Sequence, residues 1–324
     1  MRVLSSIKVC VSLCILTVAV LAGVANADSQ PKTLTYKVVG NIEIQADVYR
    51  PADSTARPVI AWFHGGALMM GSRTGVPKQL IELSQEHRFV LISFDYRLAP
   101  EAKLSEIIED LTDGLDWIRT SGPRLFNADP TRMVVAGASA GGYLAQMSGI
   151  ACEPPPTAIV SYWGFGDVDG KWTTAPNEHF LKGALISEKD AWAALGDKVL
   201  TNTNQTTGRG RWKFFIYLKQ TGLWAKVTSG FDPATERDKL TPFCPIRNLS
   251  TKYPPILMLH GTADIDVPYE KSVEMARELK RLGRPHELIT VEKGGHSLWG
   301  GDPEKVQQAF DRSLEYIQEH LSKP

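Results

Sequence analysis

Short apolar runs limit the possible folds of this chain more than any other feature. Val59-Ile60-Ala61-Trp62-Phe63 and Phe89-Val90-Leu91-Ile92-Ser93-Phe94 are almost uninterrupted. A strand with one wet face alternates polar and apolar residues, so a run without alternation is covered on both faces, as in a parallel sheet between helices. Further strands are expected at Met133–Ala136, Ala158–Tyr162, Ile256–Leu259 and Leu288–Val291. Between the second and third runs, Leu104, Ile107, Ile108, Leu111, Leu115 and Ile118 form one helical stripe, with Glu106, Glu109, Asp110 and Arg119 off it. Strands alternating with helices imply right-handed crossovers, hence an α/β fold with a mostly parallel central sheet flanked by helices. Ahead of these, Leu34–Val38 and Ile42–Val48 flank Gly40-Asn41 and read as an antiparallel pair at a sheet edge.

Residues 166–242 break the rhythm. This span holds Trp172, Trp192, Trp212 and Trp224 among helix formers. It is too long for a bare loop between core strands and is expected to be an inserted helical lid over the carboxyl ends of the strands. The expected domain is therefore one unit, residues 28–324, carrying that insertion. Lys and Arg number 36, as do Asp and Glu, so the formal charge is zero and no broad field draws the chain to nucleic acid or anionic lipid.

The first 27 residues differ from the rest. Arg2 and Lys8 accompany an apolar run, Val9–Val24, that ends in Ala25-Asn26-Ala27, the small-x-small pattern of a signal-peptidase site. Cleavage after Ala27 would give a secreted or periplasmic protein without stable membrane association. The alternative is an uncleaved anchor, the run being slightly shorter than the roughly 17 to 20 residues a span needs. Cys10 and Cys14 fall inside this segment, leaving Cys152 and Cys244 either to pair in an oxidising compartment or to stand as two thiols. With no Cys-x-x-Cys or His-x-x-x-His cluster, neither metal nor cofactor is expected.

Four segments carry chemistry. Gly137-Ala138-Ser139-Ala140-Gly141-Gly142 follows an apolar strand and opens a small-residue helix. A serine on such a tight turn presents its hydroxyl as a nucleophile, and the glycines let strand and helix approach. His64-Gly65-Gly66-Ala67 follows another strand, and its small residues allow backbone N–H groups to face an oxygen that becomes negative. Gly66, Ala67 and Ala140 are the expected donors, with Gly65 as a near alternative. His64 is expected to hydrogen-bond within its own loop.

Among seven histidines, His296 lies on the loop Lys293-Gly294-Gly295-His296-Ser297 between the last strand and a terminal helix striped by Val306, Phe310, Leu314 and Ile317. That position suits the base. His260, its rival, reads as a turn residue of His260-Gly261-Thr262-Ala263-Asp264. Asp264 is the expected carboxylate that orients the base and stabilises its cation, with Asp266 as the alternative in the same turn. Trp62, Trp163 and Trp299 flank these motifs and are read as walls of an acyl or sugar-facing substrate pocket, core packing being the alternative.

The order nucleophile, acid, histidine is that of α/β-hydrolases. The chain resembles the hormone-sensitive-lipase-like carboxylesterase group of that superfamily, through the segments at His64, Ser139, His260–Asp264 and His296 and through Asp95-Tyr96-Arg97-Leu98-Ala99-Pro100-Glu101. The resemblance spans Val59–Ser297 apart from the insertion. It implies metal-independent hydrolysis of carboxylic esters, usually of short acyl chains, through an acyl-enzyme, with small-molecule or saccharide esters as substrates. Ala67 stands where the group often has a third glycine, and Ala138 where it often has an acidic residue. Little chain precedes Thr33 to form the N-terminal cap usual in the group, which leaves the covering to the insertion. Gly261–Pro268 is also similar to prolyl-oligopeptidase-like hydrolases, which keeps a serine peptidase or amidase as the alternative reading, and to feruloyl and acetyl xylan esterases.

Overall fold

The computed structural model describes residues 30–322 apart from 197, 199 and 206–208. The export signal expected over residues 1–27 lies outside the described residues. Eight strands form one sheet in the order β1-β2-β4-β3-β5-β6-β7-β8. They are β1 (Lys32–Val39), β2 (Ile42–Tyr49), β3 (Arg57–Phe63), β4 (Val90–Phe94), β5 (Ala128–Ala138), β6 (Ala158–Tyr162), β7 (Ile256–Gly261) and β8 (His286–Val291). The β1–β2 and β2–β4 pairs are antiparallel and all the others parallel. Every expected strand is present, and the hairpin about Gly40-Asn41 sits at the edge.

The uninterrupted apolar runs now have a geometric cause. In β3, Val59, Ala61 and Phe63 enter one core while Ile60 and Trp62 enter a second on the opposite face. The same division holds in β7, with Ile256 and Met258 against Leu257 and Leu259. Successive side chains point to opposite faces, so a strand covered on both sides needs apolar residues throughout. Each fully buried Val, Leu, Ile, Phe or Met side chain among them contributes about 1.5–3 kcal/mol.

One core lies beneath α2 (Leu104–Phe126) and α3 (Ala140–Ala151), the other beneath α1 (Lys78–Glu86) and the terminal α10 (Pro303–Leu321). Between β6 and β7 the chain builds α4 (Lys171–Thr174), α5 (Glu178–Leu181), α6 (Glu188–Trp192), α7 (Arg209–Thr221) and α8 (Trp224–Ser229), and α9 (Glu270–Arg281) follows β7. Cys152 and Cys244 are free and buried. Burial pushes their thiols up to about 11 and about 12, which leaves both protonated and unreactive. Among the described residues no helix is long and apolar enough to cross a membrane.

Candidate active site

Ser139 sits between β5 and α3 with φ 56° and ψ −118°, a backbone region that a non-glycine residue holds only when its surroundings enforce it. They do so here by contact. A Cβ at position 137 would lie 2.2 Å from the carbonyl oxygen of Gly141, and one at position 141 would lie 2.0 Å from that of Phe63. Only glycine at both positions lets the turn close. The N–H of Ser139 donates to the carbonyl of Tyr162 at 2.8 Å, which fastens the turn to β6.

His296 stands in a tight turn after β8 in which Ser297 and Leu298 have φ of 63° and 64°. Its Nε2 lies 3.0 Å from Oγ of Ser139, and its Nδ1 lies 2.8 Å from Oδ2 of Asp264. The loops bearing the imidazole and the carboxylate are joined directly, the N–H of Ala263 donating to the carbonyl of Gly294 at 2.9 Å. Gly261 permits this approach, since a Cβ there would come within 2.1 Å of the same carbonyl oxygen.

The Asp264 carboxylate is fully enclosed. Its Oδ1 accepts from the N–H groups of Asp266 and Val267 at 2.9 and 3.0 Å. Its Oδ2 accepts from His296 and, at 3.2 Å, from Nε2 of His260. Burial alone would raise its pKa, but the bonds from His260, His296 and the Val267 N–H outweigh that, so it stays ionised far below the usual carboxylate range. His296 shows the complementary balance. Burial lowers the pKa of His296, yet the bond to Asp264 and the charges of Asp266 and Asp264 outweigh it, Lys219 opposing, so the pKa is raised.

The structure thus brings together Ser139, His296 and Asp264, and it is Asp264, not Asp266, that meets Nδ1. Asp266 lies on the other side of the ring, with Oδ2 3.8 Å from Nε2 of His296 and Oδ1 2.9 Å from Nζ of Lys219. His260 is more than a turn residue: its Nδ1 meets Oγ of Ser272 at 2.7 Å while its Nε2 serves Asp264. A histidine four positions before the acid at a strand end was the available signal.

The loop after β3 passes directly over the serine. A Cβ at position 65 would lie 3.3 Å from Cβ of Ser139. Gly66 and Ala67 have φ of 116° and 57°. Among the described residues no backbone carbonyl accepts from the N–H groups of Gly66, Ala67 or Ala140. His64 bonds within its loop, Nδ1 to the carbonyl of Gly65 at 2.7 Å, and stacks on Tyr96 with ring centres 4.3 Å apart. Burial lowers its pKa to about 4, so it is neutral. The Asp95–Glu101 stretch underpins the loop, with the Tyr96 hydroxyl donating to the carbonyl of His64 at 2.8 Å.

Beside Ser139 lies a cavity of about 20 Å³, lined by Ala67, Phe165, Trp172, Phe215, Lys219, Trp224, Asp266 and Val267. None of the three expected wall tryptophans lines this cavity. Trp62 is in the core against Tyr162, Trp163 packs edge-on against His296, and Trp299 is 66% exposed. Trp62 faces the far core because strand alternation pairs it with Ile60 and sets it opposite its neighbour Phe63. The aromatic walls come instead from the insertion. A larger groove of about 720 Å³, bounded by Met147, Cys152, Phe243 and Lys252, includes none of the three central residues.

A doubly covered, mostly parallel sheet with a serine on a strand-to-helix turn, a histidine after the last strand and a carboxylate after the strand before it defines the hydrolase class of α/β folds. The family model described as alpha/beta hydrolase fold matches residues 60–300, and the chain belongs to that family. Among solved structures, a Staphylococcus aureus protein of unknown function is 19% identical with a TM-score of 0.70, covering 90% of this chain and 99% of its own. Esterase 2 of Thermogutta terrifontis with propionate bound is 20% identical with a TM-score of 0.63, covering 91% and 97%. Among curated proteins, the non-reducing polyketide synthase adrD of Penicillium rubens is 26% identical over 340 residues, 90% of this chain. The non-reducing polyketide synthase atr1 of Stereocaulon alpinum is 36% identical over 146 residues, 41% of this chain. The chain spans only 14% and 6% of the length of these two relatives.

Proposed function

We propose that the protein hydrolyses carboxylic esters of short acyl groups, with Ser139 as nucleophile, His296 as general base and acid, and Asp264 as the group that orients it. The observation carrying this reading is the unbroken chain of contacts from Oγ of Ser139 to Nε2 of His296 at 3.0 Å and from Nδ1 to Asp264 at 2.8 Å. Since Nδ1–H donates to the carboxylate, the Nε2 lone pair faces the hydroxyl. As Oγ bonds the acyl carbon, its proton passes to Nε2 and the imidazolium is stabilised by Asp264. The carbonyl oxygen becomes an oxyanion held by N–H groups of Gly66, Ala67 and Ala140, each such donor lowering the barrier by about 2.7–4 kcal/mol. The alcohol leaves with the proton from Nε2. Water, deprotonated by the same imidazole, then attacks the acyl-serine and releases the acid.

The cavity supports a short acyl group. The space is small, about 20 Å³, and bounded by Phe165, Phe215 and Trp224, which favours a short acyl group over a long one. With residues 1–27 read as an export signal, acetylated saccharides outside the cell are the first natural substrates to test. Likeness to a stretch of polyketide synthases favours a second reading of the leaving group alone, a thiol in place of an alcohol. Comparing Ser139→Ala with the unsubstituted chain on p-nitrophenyl acetate tests the assignment, and full turnover without the hydroxyl would refute it. A matched acetate ester, thioester and amide separate the three leaving groups, and preference for the amide would favour the peptidase alternative.

A further inference from the structure

The loop proposed to hold the oxyanion is not shaped by its own sequence alone. Gly66, Ala67, Leu68 and Gly71 have φ of 116°, 57°, 62° and 101°. Alanine and leucine keep such angles only when neighbours over-determine them. Some of that determination is local, the N–H groups of Met69 and Met70 both donating to the carbonyl of Gly66 at 2.9 and 2.8 Å. The Asp95–Glu101 stretch adds to it, the N–H of Ala99 donating to the carbonyl of Leu68 at 2.8 Å, and further bonds come from the insertion, more than a hundred positions away.

Nε1 of Trp224, at the start of α8, donates to the carbonyl of Ala67 at 3.2 Å. Arg211, on α7 and 4% exposed, donates from Nη1 to the carbonyls of Met69 and Ala99 at 3.1 and 2.7 Å, while its Nη2 meets Glu101 at 2.6 Å. Thr203 receives the N–H of Gly71 at 3.1 Å and returns its own N–H to the carbonyl of Gly71 at 2.9 Å. The same α7 reaches the acid-bearing loop, where Nζ of Lys219 donates to the carbonyl of Asp266 at 2.9 Å.

We infer that the insertion is a clamp, not a free flap, and that Trp224 and Arg211 are positioning residues that hold the Gly66–Gly71 loop in the form in which its amides meet the oxyanion. This rests on the esterase reading above. Its consequence is specific: loosening the clamp weakens the transition state and leaves binding of the uncharged substrate nearly intact.

Two variants of the full chain test it. Trp224→Phe keeps the aromatic wall and removes the N–H. Arg211→Lys keeps the charge facing Glu101 and removes the fork that spans two carbonyls. Arg211 does not line the cavity, so a loss there cannot arise from altered pocket shape. With p-nitrophenyl acetate, each is expected to lower kcat by about tenfold to a hundredfold, short of the loss for a deleted donor, with KM changed by less than about twofold. Trifluoroacetone, which Ser139 would convert to a hemiketal bearing an oxyanion, should lose affinity by the same factor. The matched alcohol, trifluoropropan-2-ol, should not. Unchanged kcat in a folded variant, or equal weakening of ketone and alcohol, overturns the clamp role. If Arg211→Lys fails to fold, Trp224→Phe decides. An unsubstituted chain that neither cleaves the ester nor forms the hemiketal by fluorine NMR sinks the esterase reading and this inference with it, whereas an active chain with unaffected variants sinks only this inference.

Discussion

His260 and His296 bond the same oxygen of Asp264, at 3.2 and 2.8 Å. The carboxylate is therefore held by two imidazoles and two backbone N–H groups. His260→Phe keeps the volume and removes one of these donors. Ester turnover should fall by roughly tenfold, a small part of what general base catalysis supplies. The hydroxyl of Ser272 and the carbonyl of Val267, which lies 3.0 Å from Nε2 of His260, also lose their partner, so the thermal midpoint should drop as well. A variant with full kcat would show that His260 serves only the fold.

Asp264→Asn should be far more damaging than its size suggests. An amide can offer its NH₂ to the imidazole, which turns the ring toward the wrong tautomer. A fall in kcat of about 10⁴ is expected, with the fold retained. Stopped-flow turnover beside a circular dichroism melt checks both parts, and a loss under tenfold would mean that another carboxylate orients the base.

The pH dependence has a defined sign. His296 must be neutral to accept a proton, and its pKa lies above the ordinary 6.5, so kcat/KM should climb through a pH above that value. Asp266 raises this pKa and Lys219 lowers it. Asp266→Asn should therefore move the acid limb to lower pH, and Lys219→Met should move it higher. Limbs that shift in the same direction would contradict the arrangement.

Acyl length is the third property to measure. Rates should fall from acetyl to butyryl to octanoyl p-nitrophenyl esters, because Phe165, Phe215 and Trp224 close the cavity. Phe215→Ala should reverse part of that order by opening room for several methylenes. A flat profile across the series in both proteins would mean that acyl groups bind elsewhere.

Gly137→Ala tests the turn itself. The new methyl would meet the Gly141 carbonyl at 2.2 Å, and neither partner is a flexible side chain. Overpacking of this kind should cost about 3 kcal/mol, read from the urea midpoint.

Much of this architecture could be read before any coordinates. Uninterrupted apolar runs imply covering on both faces, and the structure covers them so. The turn at Ser139 is legible because collision rules permit only small residues around it. The lining of the cavity beside Ser139 was not legible, because nearness in sequence is not nearness in space: Trp62 adjoins Phe63 yet enters the core on the opposite face of the sheet. Strand alternation carried that information. Trp172 and Trp224, by contrast, reach the serine through a path of helices that no local pattern reveals. The second bond to Asp264 was hidden for a similar reason, since one turn-forming histidine looks like another until its ring direction is known.

The narrow space beside Ser139 also bears on how a substrate would be chosen. A small recess that takes the acyl group would leave whatever is attached through the scissile oxygen outside it. On the proposed reaction, selection acts on the end that is removed, and bulk on the other side is a matter of indifference. A sugar, a polymer or a simple alcohol could each present the same short cap and be trimmed alike.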